Sequence, residues 1–580
     1  DEKGKEEQPG SDQDDLAGID GEQVHSGAVD GRRVRGVRWP VRFTPGSRRA
    51  SLCAARGKGA VVRMPSGGRT VAHSSAGYPP AWTWSSMNNR TSNRTLGATE
   101  TSGLDRFFSI SERGSTTARE LRGGLVTFVT MVYIVVLNPL IIGTVKDADG
   151  KYLGGGSAPA LAAVAASTAL VACVLTIAMG VIGRYPFALA TGLGLNAFVA
   201  FQVASKMSWP AAMGMVVIEG LLITVLVLTG FRVAVFRAIP AQLKSAIAVG
   251  IGLFIALIGL VDAGFVRAGA GTVVDIGVGG HLNGWPTLVF VIGVLLIAVL
   301  MARKVRGAIL IGIVVATVLA VIIEAVGKIG SQTDATGKVV NPEGWALNVP
   351  SFKGKSFGAP DFSLIGHFSM GGGFSAVGIV SGIVIIFSLV LSDFFDVMGT
   401  TIGLASEANL LDADGQLPNI QQVLLIDGVA AVAGGVAGAS SATTYVESAS
   451  GIGDGARTGL ASVATGLLFL VTIFLSPLAQ FVPSEAAAPA LVVVGVLMMR
   501  QIRNIDFNDF SLAVPAFLTI VLMPFTYSIT NGVGAGFVSY VVLQIAVGQA
   551  RRVHPLMWAV AAFFAIYFAI EPLKTLFGIS

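Results

Sequence analysis

Ser392-Asp393-Phe394-Phe395-Asp396-Val397-Met398-Gly399-Thr400 and Thr443-Thr444-Tyr445-Val446-Glu447 are short polar sequences set inside long apolar runs. Their three carboxylates fall at depths where an acidic side chain costs about 2.5 kcal/mol or more on insertion scales. The surrounding chain is 53% hydrophobic and 13% charged over 580 residues, with a mean hydropathy of +0.70. No water-soluble domain has that balance. Apolar runs of about 20 residues, the length that crosses a bilayer, recur from Gly123 to Ile570. The class is therefore an all-α polytopic membrane protein. A carboxylate at such depth marks a functional site by default.

Working outward, hydropathy places membrane segments at 119–142, 159–182, 187–204, 210–230, 240–261, 286–302, 306–326, 373–402, 420–438, 440–452, 456–481, 487–500, 510–527 and 531–549. The third and tenth are poor helices: short, polar, and rich in Gly, Ser and Thr. Non-helical backbone at that depth must be buried in protein or line a cavity. Arg113, Arg119, Arg122, Arg184, Arg232, Arg237, Lys244, Arg303, Lys304, Arg306, Arg457, Arg500, Arg503, Arg551 and Arg552 fall on one side of these segments. The positive-inside bias makes that side cytoplasmic and puts both ends of the bundle there. The loop near 405–419, with Glu407, Asp412 and Asp414, departs from the pattern, but acidic residues weigh little in it. The last apolar stretch, 555–570, is either an interfacial segment or a fifteenth crossing.

Residues 1–103 have a different composition. The first 30 are acidic and polar, and Arg32 to Arg49 is arginine-rich without any acid. Such a segment is expected to be disordered, with the arginine stretch a candidate for a lipid surface. Met64 and Met87 are candidate internal starts, and much of the tail is expected to be dispensable. Cys53 lies there and Cys173 in a span, so neither a structural disulfide nor a metal site is expected, and no cofactor is called for. No P-loop, nucleophile elbow or zinc-hydrolase motif is present. The net charge of +5 follows from membrane topology rather than nucleic-acid binding.

The two halves echo each other. Ile239-Pro240 precedes one span and Ala488-Pro489 its counterpart, and each broken segment is third in a set of seven. Seven is odd, so the second set enters from the opposite face, which is the inverted repeat of secondary transporters. In that architecture the discontinuous segments meet at a midplane binding site.

Three constellations supply the chemistry. In Ala190-Thr191-Gly192-Leu193-Gly194-Leu195-Asn196 the glycines let backbone approach a ligand, and Asn196 offers a donor and an acceptor. Asp393 and Asp396 are three apart and share a helix face, which makes them candidates for picking up and releasing a proton. Glu447 is the only acid in its broken segment, next to Thr443 and other hydroxyls. A carboxylate accepts two adjacent N–H groups of a planar heterocycle; the competing reading pairs Glu447 with Arg457. Phe128 is a candidate to stack on an aromatic ligand, and Glu219 to pair with a neighbouring helix.

At these residues the chain resembles the nucleobase–cation symporter family, specifically its Azg-like branch of adenine, guanine and hypoxanthine permeases. Thr127–Ile134 with Asn138-Pro139, Gly192–Ala197, Gly250–Phe254, Asp393–Asp396, Thr443–Ser448 with Arg457–Gly459, and Pro524–Ile529 carry the resemblance. It implies 14 spans in a 7+7 inverted repeat, with short strands in spans 3 and 10. It also implies a core domain (104–235 and 372–484) that binds substrate and a gate domain (236–330 and 485–550) beside it. An extracellular loop, 331–371, and a C-terminal segment, 551–580, complete that division. By position, Asn196, Asp393, Asp396, Thr443 and Glu447 match the family's binding and coupling residues. Val397-Met398 and Leu193 depart from the usual residues of the motifs and bear on which purine fits.

The expected function is proton-coupled import of a neutral purine base across the plasma membrane. Glu447, Thr443 and Asn196 would bind the base, Phe128 would cover a ring face, and Asp393 with Asp396 would take the proton. A homodimer is compatible with this reading. The alternatives are a uracil, xanthine or anion carrier of the same fold, and a membrane channel or scaffold.

Overall fold

The computed structural model describes residues 102–229, 239–269, 271–334, 338–352, 356–412 and 417–577. The expected disordered tail, with its arginine stretch, Cys53, Met64 and Met87, lies outside the described residues, as do Arg232, Arg237 and Asp414.

The first span is broken. Helix α2 (Thr117–Met131), which follows a short α1 (Gly103–Phe108), is capped by the Thr116 hydroxyl and stops one residue before Val132; α3 (Ile134–Ile142) resumes after Tyr133. Helix α4 (Leu161–Ala178) runs on through a π-turn to Gly183. The polar third segment is strand β1 (Leu189–Thr191), helix α5 (Leu193–Phe198) and a second π-turn. Then come α6 (Trp209–Leu228), α7 (Ala241–Asp262), α8 (Trp285–Ala302) and α9 (Ala308–Gly327). The second half holds α10 (Ile379–Glu407), α11 (Ile420–Val436), strand β2 (Ala442–Thr444), α12 (Ser448–Gly453), α13 (Gly459–Ile473), α14 (Ser484–Met499), α15 (Phe510–Phe525) and α16 (Ile529–Ala546). Among the described residues nine helical stretches are long and apolar enough to span a membrane, and α11, α13 and α15 are shorter apolar helices.

Two boundaries differ from the hydropathy reading. The span expected over 373–402 begins after Gly378, whose φ of +79° ends a preceding turn of helix, and continues to Glu407. The span expected over 456–481 stops at Ile473, where a 3₁₀ segment, Ser476–Phe481, takes over around Pro477. The stretch 555–570 is helical: α17 (Pro555–Phe577) packs along α16 and touches α10. Phe564 is fully buried, 6.0 Å from the Phe537 ring on α16.

Packing sorts the helices into two groups. Helices α2, α4, α6, α10, α11 and α13 pack mainly among themselves, while α7 packs on α14 and α15, and α8 on α9 and α14. Glycines set these distances. A Cβ at Gly459 on α13 would lie 1.9 Å from the Gly180 carbonyl oxygen, and one at Gly220 on α6 would lie 2.5 Å from the Val432 nitrogen of α11. In the other group, a Cβ at Gly495 on α14 would lie 2.5 Å from the Gly252 oxygen of α7. Membrane helices gain little from burial of apolar surface against one another, so such backbone approach supplies much of the association.

Gly459→Ala is expected to cost about 1–3 kcal/mol, because rigid backbone must move, and to lower the melting temperature of the detergent-purified protein. Gly403→Ala, where an added Cβ meets nothing within 4 Å, is expected to be neutral or slightly stabilising.

Candidate functional site

Strands β1 and β2 come from the two polar segments and pair antiparallel, with Leu189 opposite Thr444, Ala190 opposite Thr443 and Thr191 opposite Ala442. The ladder continues through Tyr445 N–H to Ala188 C=O (2.9 Å) and Gly192 N–H to Ser441 C=O (3.0 Å). Side chains complete it. Thr176 Oγ1 on α4 both donates to and accepts from the Leu189 backbone, at 2.9 Å each. Ser448 Oγ accepts from Ala188 N–H at 3.0 Å, and the Tyr445 hydroxyl donates to the Thr191 carbonyl at 2.6 Å.

Asn196 and Thr443 lie at this pair, fully or almost fully buried. Asn196, on α5, donates from Nδ2 to Thr191 Oγ1 at 3.3 Å, and its Oδ1 has no partner among the described residues. The Thr443 Oγ1 likewise has none. A Cβ at Gly192 would lie 2.9 Å from Thr443 Cγ2, so glycine is required for the close approach of the two segments. Buried polar atoms in native proteins are nearly always paired. These two orphans beside one short ladder are candidates for bonds to a polar ligand.

Glu447 opens α12 and is half-buried; its Oε1 accepts a 2.5 Å hydrogen bond from the Tyr133 hydroxyl. Arg457 does not pair with it: its Nη1 donates to the carbonyls of Ile452 (2.6 Å) and Ala456 (2.7 Å) at the far end of α12. Asp396 lies within electrostatic range of Glu447 and of Tyr445. Helix α10, which carries both aspartates, packs against α5, β2 and α12. Asp393 and Asp396 do not share one environment, however. Asp393 is fully buried, whereas Asp396 is exposed. A spacing of three leaves side chains about 60° apart around a helix, enough to separate interior from opening. Phe128 is half-buried and packs edge-on against Phe469, with centroids 5.2 Å apart.

Sequence reasoning missed two residues, Tyr133 and Asp427. Tyr133 lay inside a quoted motif, but nothing local linked it to Glu447. Asp427 on α11 is fully buried and its Oδ1 accepts from the Thr444 N–H at 3.2 Å. Glu219 on α6, expected to pair with a neighbouring helix, accepts from Ser441 Oγ just before β2 at 3.4 Å and lies within electrostatic range of Asp427 on α11. Neighbouring residues of a strand face opposite sides. The Thr444 hydroxyl lies 3.5 Å from Asp427, so Thr443 turns to the other side of the ladder. The cluster thus has two acidic pairs, Asp396 with Glu447 and Glu219 with Asp427.

The Permease family model, Xan_ur_permease, matches residues 118–535. Adenine permease AdeP of Escherichia coli is 39% identical over 474 residues, covering 81% of this chain and 97% of that protein. Guanine/hypoxanthine permease PbuG of Bacillus subtilis is 38% identical over 467 residues, covering 80% and 98%. Among solved structures, the murine Slc26a9 anion transporter in its inward-facing state matches with a TM-score of 0.50 at 13% identity, over 79% of this chain and 74% of that one. That likeness is one of fold.

Asp427→Ala is expected to destabilise the protein by about 1–3 kcal/mol, since it strips a buried N–H of its acceptor. Asp427→Asn, which retains an acceptor oxygen, is expected to recover most of the loss. Thermal melting in detergent separates the two.

Proposed function

We propose that this chain, which belongs to the Permease family, imports purine nucleobases in symport with protons across the plasma membrane. Membership makes it a membrane transporter and not an enzyme. One observation carries the substrate: the Glu447 carboxylate, held by Tyr133, stands in the same cluster as the orphan acceptor of Asn196 and the orphan hydroxyl of Thr443. A purine base is flat and neutral and carries N–H donors next to ring-nitrogen acceptors. Glu447 accepts its N–H, and Asn196 and Thr443 complete the bonds. The half-buried Phe128 ring, set by its contact with Phe469, covers a face of the base. The named activities of AdeP and PbuG fit such a cargo. Two carboxylates so close repel anions, so the fold shared with an anion transporter does not extend to its cargo.

The proton acts at α10. Asp396 takes it from the aqueous side, and with Asp393 it removes charge from the interior as the substrate closes in. One charge moved across 100 mV contributes roughly 2.3 kcal/mol to accumulation.

Movement follows from fourteen crossings in a 7+7 inverted repeat, with both termini cytoplasmic. The core holds α2 to α6 and α10 to α13; the gate holds α7 to α9 and α14 to α16. The core slides against the gate as an elevator. Polar ties across the seam sit at both ends: Ser528 Oγ donates to Gln202 at 3.0 Å, and Arg306 pairs with Asp454 at 2.5 Å, where Arg122 of the core also pairs with it. Burial pushes the Asp454 carboxyl up, but Arg122 and Arg306 outweigh it and hold its pKa below the usual carboxylate range. The tie is therefore charged at neutral pH and is lost only as pH falls through that lowered value.

In cells lacking their own purine permeases, this chain is expected to give saturable uptake of labelled adenine or hypoxanthine that a protonophore collapses. Glu447→Ala is expected to abolish it; normal uptake by that variant would remove the proposed substrate contact. Tyr133→Phe is expected to raise KM roughly tenfold by loosening Glu447, the size of one hydrogen bond to a charged group. Asp396→Asn is expected to keep base exchange but lose accumulation driven by a pH gradient.

A further inference from the structure

The end of α4 opens onto a cavity of about 460 Å³, lined by Arg113, Arg184, Asn419, Gln422, Val181 and Ile182 and by no residue of the strand pair. The arginines are presented rather than consumed. Arg113 is anchored by Nη1 to the carbonyls of Arg184 (2.7 Å) and Arg457 (3.1 Å) and lies over the Tyr185 ring at 5.0 Å. Arg184 lies over the Phe107 ring at 4.8 Å. Among the described residues neither guanidinium has a carboxylate partner, and no acid lines the cavity. Arg184 sits at a φ of +59°, directly after the π-turn that ends the span. Helix α11 starts at the opposite wall with no acid in its first turn and no side-chain cap, so its positive end adds to the field.

The lip is apolar. Val181 and Ile182 are exposed at 39% and 56%, and Phe107 of α1, under the Arg184 guanidinium, at 41%. All three lie where the last turn of the span meets the arginines. A polar, cationic recess with a hydrocarbon-facing rim has the chemistry of a lipid headgroup and its acyl chains, not of a free solute. We propose that this cavity binds the phosphate headgroup of an anionic phospholipid at the membrane face that the positive-inside bias assigns to the cytoplasm. Guanidinium groups match phosphate oxygens by bidentate, charge-assisted hydrogen bonds. Gln422 and Asn419 reach the remaining headgroup oxygens, and Val181 and Ile182 meet the chains. The headgroup thereby ties α1, α4 and α11 together, outside the substrate site.

The test uses the full chain, delipidated in detergent and titrated with phosphatidylglycerol, phosphatidylcholine or inorganic phosphate. Binding is read by native mass spectrometry and by melting temperature, neither of which depends on transport. Phosphatidylglycerol is expected to bind saturably and raise the melting temperature, and phosphatidylcholine to do neither. Arg184→Gln is expected to weaken phosphatidylglycerol binding about tenfold. Gln422→Glu, an exposed change that places a negative charge in the recess, is expected to weaken it as well and guards against misfolding of the first variant. Arg503→Gln, an exposed arginine elsewhere, is expected to leave it unchanged. Equal binding by the wild type and both cavity variants would overturn the site. Arg184-dependent stabilisation by inorganic phosphate without any by the lipid would overturn the lipid assignment.

Discussion

The structure depends on one constraint: two stretches of extended backbone sit where there is no water to hydrogen-bond them. An unpaired buried amide costs free energy comparable to a lost hydrogen bond. Strands β1 and β2 answer each other, and what three residue pairs leave unsatisfied is taken up by Thr176, Ser448, Tyr445 and Asp427 from the surrounding helices. Every one of those partners belongs to α4, α11 or the β2–α12 segment. The group of helices around the strands is therefore tied together by polar bonds at its centre and by glycine contacts at its edges. The proposed substrate chemistry is added to a scaffold already fixed by backbone satisfaction.

That arrangement separates two kinds of acid. Asp427 faces the ladder's own backbone, and Glu219 holds Ser441 just before it. Their positions relate to strand geometry. Asp396 and Glu447 lie in the part of the cluster where α10, α12 and Tyr133 meet, and here a carboxylate contacts side chains that a ligand can displace or join. Mutating the first pair should disturb folding, and mutating the second should disturb transport, although all four residues look alike in composition.

The sequence made the membrane class, apolar helices over most of the expected segments and the two polar segments legible, because apolar run length and the Gly/Ser/Thr interruptions are local signals. Asn196, Thr443 and Glu447 were legible as candidates because polar residues at depth are rare. What stayed hidden depended on distant partners. Tyr133 and Glu447 are 314 residues apart, and Asp427 meets Thr444 only after α11 has crossed and returned. The break after Met131 carries neither proline nor glycine to announce it. The pairing of Glu447 with Arg457 was suggested by closeness in sequence, but α12 lies between them and carries the arginine away. The equivalence of Asp393 and Asp396 failed for a related reason: helical spacing fixes relative angle, while what each side meets is decided by the neighbours.

The glycines bear on how such a protein could move. Within the proposed core, Gly459 closes on Gly180 and Gly220 on Val432; within the proposed gate, Gly495 closes on Gly252 and Gly532 on Thr519. In each case the nearest or next atom is backbone, which cannot yield without shifting a helix. Across the seam the glycine contacts are of another kind. A Cβ at Gly194 would meet only side chains within 4 Å, those of Ile251 and Ile255. Side chains can change rotamer as one surface passes another, whereas interlocked backbones cannot. Two bodies, each rigid by backbone approach and separated by a seam of adaptable side chains with a polar tie at either end, are what sliding requires. The glycines at helix contacts, which lower helix propensity, thus distribute the chain's stiffness. They place it inside each proposed body, and leave the boundary beside the proposed substrate site as the plane of least resistance.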